Sequence, residues 1–109
     1  MAGHEILIDG SGRTDGGVHA YGQVATFNWT GKIPVEKLMY VLNHRLPKDI
    51  YIKSLEPVSD DFHARFSAIG KCYTYKLYKS DTPSPLKRRH AYRVPQNIDT
   101  GAMAKAASY

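Results

Sequence analysis

Residues 10–17 read Gly-Ser-Gly-Arg-Thr-Asp-Gly-Gly, four glycines in eight positions. No helix or strand tolerates that density, so the chain must pass through a loop with unusual dihedrals or a close backbone approach. Apolar stretches flank it. Ile6, Leu7 and Ile8 lead in and end at Asp9-Gly10, which reads as a short strand. Gln23 to Trp29 leads out, with Ala25, Phe27 and Trp29 on one face of a second strand.

Further along, Pro34 suits the first helical position. Val35, Leu38, Met39 and Leu42 follow at helical spacing, which predicts an amphipathic helix over about 34–44. Residues 49–57 read as a strand, and 58–67 as a loop. Residues 68–79 carry the strongest strand signal, with Tyr73, Tyr75 and Leu77 on one side and Cys72, Thr74, Lys76 and Tyr78 on the other. Thr82-Pro-Ser-Pro85 breaks it. Asp99 or Thr100 is placed to cap a last helix built on Ala102, Met103, Ala106 and Ala107. The order implies an α+β fold, a mixed or antiparallel sheet with helices packed on one face.

Charge is uneven along the chain. The net charge is +5, yet residues 62–93 hold eight bases and one acid. Arg65, Lys71, Lys76, Lys79, Lys87, Arg88, Arg89 and Arg93 alternate there with Phe62, Phe66, Tyr73, Tyr75, Tyr78 and Tyr92. Bases grip phosphates and flat rings stack on nucleobases, so the mixture suits nucleic acid. A solvated basic surface with half-buried tyrosines fits the same residues. No apolar run approaches the ~20 residues of a membrane-spanning helix. Met1-Ala2-Gly3-His4-Glu5 has neither the basic flank nor the apolar segment of a secretory signal. One cysteine, Cys72, excludes an internal disulfide and reads as a packing residue in a reducing compartment.

The glycine loop holds the one carboxylate in a constrained setting. Arg13, two positions before Asp15, can orient it and keep it ionised, as covalent or acid/base chemistry requires. A structural turn in which Asp15 caps local amides is the alternative. The phosphate-loop and dinucleotide patterns are absent. His4, His19, His44, His63 and His90 lie far apart, so the sequence offers no metal-ligand spacing.

Gly12-Arg-Thr-Asp-Gly-Gly-Val-His-Ala20 with Gly22-Gln-Val24 resembles the signature of the TruA-type tRNA pseudouridine synthases. Asp60-Asp-Phe-His-Ala-Arg-Phe-Ser-Ala68, Lys71-Cys-Tyr-Thr-Tyr75 and Val41-Leu-Asn-His-Arg-Leu-Pro-Lys-Asp-Ile50 resemble further segments of that family. The resemblance implies a cytoplasmic, homodimeric enzyme that turns uridine into pseudouridine in the tRNA anticodon stem-loop, at positions 38 to 40, with no cofactor or metal. It places Asp15 on the catalytic aspartate, Tyr73 on the active-site tyrosine, and Arg13 on the arginine that pairs with the aspartate and helps flip the base. Arg65, Lys71, Lys76, Lys87, Arg88 and Arg89 are the expected RNA-facing bases. A non-catalytic basic RNA-binding module is the competing reading; it has no need of Arg13-Thr14-Asp15 between glycines.

The chemistry breaks the N1–C1′ bond, turns the uracil and rejoins it through C5. A carboxylate serves either by adding covalently or by taking the C2′ proton while a glycal forms, and a tyrosine on the ring can remove the C5 proton or position the base. Gly16 stands where the family more often has Ala. The family's segment before the glycine loop and its C-terminal half have no counterpart here. Residues 1–109 are therefore expected to be a partial catalytic domain, about half the enzyme.

Overall fold

The computed structural model describes residues 3–109. Met1 and Ala2, which belong to the start read as non-secretory, lie outside the described residues. The chain forms strands β1 (Asp9–Gly10) and β2 (Ala25–Thr26), helix α1 (Val35–Arg45), strands β3 (Leu77–Lys79) and β4 (Tyr92–Val94), and helix α2 (Thr100–Ala106). It is thus a mixed α and β chain. It divides into two compact units, one holding the chain up to Thr14 with Ala20–Gly70, the other holding Asp15–His19 with Lys71–Tyr109.

In the first unit, α1 follows from its apolar spacing. Leu38 is fully buried, while Val35, Met39 and Leu42 are half-buried on the same side. Pro34 stands one position earlier than expected, as the N-cap, because its ψ of 143° is extended. Glu36 in the first turn and His44 and Arg45 in the last oppose the helix dipole. Leu46 leaves the helix extended, as a residue before proline prefers. Asn43 then ties α1 to the chain beyond. Its amide Nδ2 donates to the Ile52 carbonyl at 3.0 Å, and its Oδ1 accepts from the Ile52 amide at 2.8 Å.

That clamp explains a correction. Residues 49–57 are not a strand, since both backbone groups of Ile52 are taken by a side chain and no ladder partner runs alongside. β1 and β2 form an antiparallel pair of two residues each, with Asp9 opposite Thr26 and Gly10 opposite Ala25. The apolar stretches around them were expected to be strand along most of their length. Trp29 lies beyond β2 with its indole against Gly31, where an added Cβ would fall 2.3 Å from the ring, and its Nε1 donates to the Ile33 carbonyl at 2.9 Å.

The second unit departs further from the sequence reading. The long strand expected over 68–79 is regular only at Leu77–Lys79. Tyr73 and Tyr75 therefore stand outside any ladder, exposed at 61% and 88%. β3 pairs in parallel with β4, Leu77 opposite Tyr92 and Lys79 opposite Val94, and not with the strand leaving the glycine loop. Cys72, expected to pack, is exposed. The last helix matches its cap signal: the Asp99 carboxylate accepts from the Ala102 amide at 2.9 Å.

Candidate active site and nucleic-acid interface

In the first unit the glycine loop leaves β1 through a built gate. The Ser11 amide donates to the Val24 carbonyl at 2.8 Å, and Ser11 Oγ donates to Gln23 Oε1 at 2.6 Å. The Gln23 amide in turn donates to the Gly12 carbonyl. Gln23 thus holds Ser11 and Gly12 while the chain just beyond is free to contort. Arg13 follows at once, exposed, with no ion-pair partner among the described residues.

The second motif block folds tightly in the same unit. The Arg65 amide donates to His63 Nδ1 at 3.1 Å, so the ring proton sits on Nε2, which lies 3.9 Å from the Asp9 carboxylate. Ala64 is fully buried and its amide reaches Thr26 Oγ1 at 3.4 Å, tying the block to β2. The Arg65 guanidinium lies 5.9 Å from the centre of the Phe66 ring, and that ring is 78% exposed. A cation beside an open aromatic face can both neutralise a phosphate and stack on a base.

The second unit holds Asp15, Tyr73, Lys71, Lys76 and Lys87–Arg89. It carries eight bases and three acids, hence the whole +5 of the chain, whereas the first unit has seven of each. The Val18 amide donates to the Asp15 carbonyl at 3.2 Å, closing a turn in which Gly17 takes φ +85°. A side chain would be strained there. The Asp15 carboxylate has no hydrogen-bond or ion-pair partner among the described residues, and no contact of that kind joins it to Tyr73. Lys87, Arg88 and Arg89 ride on a turn closed by the His90 and Ala91 amides, which both donate to the Lys87 carbonyl at 2.9 Å. The Lys87 ammonium sits 4.8 Å from the Tyr78 ring centre, and the Tyr78 hydroxyl accepts from the Ser84 amide at 3.1 Å.

Some residues matter that sequence reasoning passed over. Arg93 belongs to the basic run over 62–93, and its guanidinium donates to the carbonyls of Ser80 and Asp81, at 3.1 and 3.2 Å, and braces the loop after β3. His19 Nε2 lies 2.8 Å from the Arg89 carbonyl oxygen, across 70 positions. Its place at the end of the glycine motif was the available signal; its partner was not legible. Among the described residues no three His, Cys, Asp or Glu come together as a metal site, and no helix is long and apolar enough to cross a membrane.

The first unit thus holds a strand pair at the base of the glycine loop, and the second unit holds Asp15 and the excess of bases. The sequence model of one family, described as tRNA pseudouridine synthase, matches residues 2–67. The chain belongs to that family. It is 46% identical over 109 residues to the tRNA pseudouridine synthase A of Acetivibrio thermocellus, covering 100% of this chain and 45% of that protein. The same-named protein of Ruminiclostridium cellulolyticum is 45% identical over 109 residues, 100% of this chain and 44% of its own length. That of Bacillus licheniformis is 44% identical over 108 residues, 99% and 44%. The chain thus spans a little under half the length of the relatives it matches.

Proposed function

We propose that this chain is part of the catalytic domain of a tRNA pseudouridine synthase that isomerises uridine in the anticodon stem-loop, at positions 38 to 40. The observation that carries this reading is the family match, which runs through the gated loop bearing Arg13, Thr14 and Asp15. Asp15 is the catalytic carboxylate. It stands on a turn that keeps it exposed and lets a ribose approach closely, as attack at carbon or removal of the C2′ proton requires. Arg13 pairs with it during turnover and fills the stack that the flipped base leaves. Tyr73, exposed and outside any ladder, lies against the uracil. Extrusion of the uridine costs a few kcal/mol, offset by phosphate contacts from Arg65, Lys71, Lys76 and Lys87–Arg89. The whole protein has the larger α+β fold, a mixed sheet with helices on one face, and works as a cytoplasmic homodimer without metal or cofactor.

The test is tritium release from tRNA labelled at C5 of uridine. It is measured on the 109-residue chain, and on a chimera in which this chain replaces the matching segment of the Acetivibrio thermocellus protein. The chimera should turn over, and Asp15→Asn should fall below about a hundredth of its rate while still binding tRNA. No release from either protein, or an Asp15→Asn chimera close to the unsubstituted rate, overturns the assignment.

A further inference from the structure

The segment Asp15–His19 carries the proposed carboxylate, yet little within it holds its shape. Its one internal bond is the turn from Val18 to Asp15, and two of its residues are glycines. Gly16 has open space where a side chain would sit, and the Asp15 carboxylate has no partner among the described residues. Ordering such a segment costs much backbone entropy, so an aspartate kept in one place here needs an external tie.

His19 makes that tie within the same unit. A carbonyl oxygen only accepts, so His19 Nε2, 2.8 Å from the Arg89 oxygen, carries the hydrogen and donates. The ring also packs on His90, with centroids 4.8 Å apart and planes at 30°. The anchor is itself built. The turn of Lys87–Ala91 is closed by two amides on one carbonyl, and Lys87 leans on Tyr78 of β3. A line of contacts therefore runs from β3 through the basic turn to His19, four residues from Asp15.

We infer that His19 is a positioning residue that docks the Asp15 loop on the basic turn Lys87–His90. The turn whose side chains grip RNA phosphate then also sets where the carboxylate stands. This rests on the reading of Asp15 and of those bases under the proposed function. It adds a residue that acts on catalysis only through the loop.

Three variants test it. His19→Phe keeps the ring packing on His90 and removes the donor. His19→Gln puts an amide nitrogen at about the same reach. His19→Asn, whose amide falls short of the carbonyl, stands in for His19→Phe should that variant lose its circular dichroism. In the 109-residue chain, order parameters of the Gly16, Gly17 and Val18 amides should drop below about 0.6 in His19→Phe and hold in His19→Gln. In the chimera, His19→Phe should lower kcat for tritium release about 10- to 100-fold with KM for tRNA within about twofold, and His19→Gln should recover most of the rate.

Unchanged order parameters in His19→Phe overturn the tie. An equal fall in kcat for His19→Phe and His19→Gln also does so, because it would put the imidazole itself on the substrate. A rise in KM in place of a fall in kcat counts against it as well. The order-parameter arm needs no activity. Loss of order in an inactive chimera keeps the tie and sinks the synthase reading, while an active chimera indifferent to His19→Phe sinks the tie alone.

Discussion

The two units of this chain are each held together by different means. The first is electrically balanced and organised around α1, with Leu38 fully buried, an indole laid on Gly31 and a side-chain clamp from Asn43 to Ile52. The second carries the whole net charge, has no fully buried residue, and is joined by a three-residue parallel ladder and by contacts from Arg93, Tyr78, Lys87 and His19. Burial in the first contributes stability. In the second, an excess of five positive charges opposes compaction by self-repulsion. The contrast is between a unit held by apolar burial and one held by polar and cation–ring contacts.

The sharpest way to break this comparison is at Leu38. Leu38→Ala should cost about 2–5 kcal/mol in urea unfolding, since a fully buried leucine loses both its transfer energy and the cavity it filled. If the melt is unmoved, α1 does not organise the first unit. Asn43→Leu comes next. It removes two hydrogen bonds and leaves the Ile52 amide and carbonyl unpaired, a cost of about 1–3 kcal/mol by the same measurement.

Substitutions in the second unit should behave in the opposite way. Changing the exposed Arg88 and Arg89 together to Gln should leave the unfolding free energy within about 0.5 kcal/mol of its starting value. The same change should reduce the salt slope of tRNA binding by about 0.7–0.9 for each phosphate that is no longer neutralised. An unaltered slope would mean that these bases face away from the RNA. The smallest effect sharpens the comparison. Asp99→Ala removes the cap of α2 and should cost about 1 kcal/mol of local helix, seen as a small drop in helical signal with tRNA binding unaffected.

Much of the candidate site and of the local structure is read from residues that stand close together in the chain. Asp15, Arg13 and their glycines stand together in sequence, and the spacing of Val35, Leu38, Met39 and Leu42 prescribed α1 to within a residue of its bounds. The cap of α2 and the run of bases over 62–93 were equally plain. These features are local: a helix is made by contacts three and four residues apart, a cap by a side chain and the next turn, and charge density by composition. What the tertiary structure alone decided concerns pairings with no period. An alternating stretch such as 68–79 states a willingness to be a strand, but a strand exists only where another backbone supplies its hydrogen bonds, and Tyr92–Val94 supplies them from Leu77 onward. Over 49–57 the backbone groups of Ile52 went to Asn43 instead. The contact of His19 with the Arg89 carbonyl spans 70 positions and uses a backbone acceptor that every residue possesses. Nothing in residue type marks which carbonyl it will be, so only the folded chain could choose it.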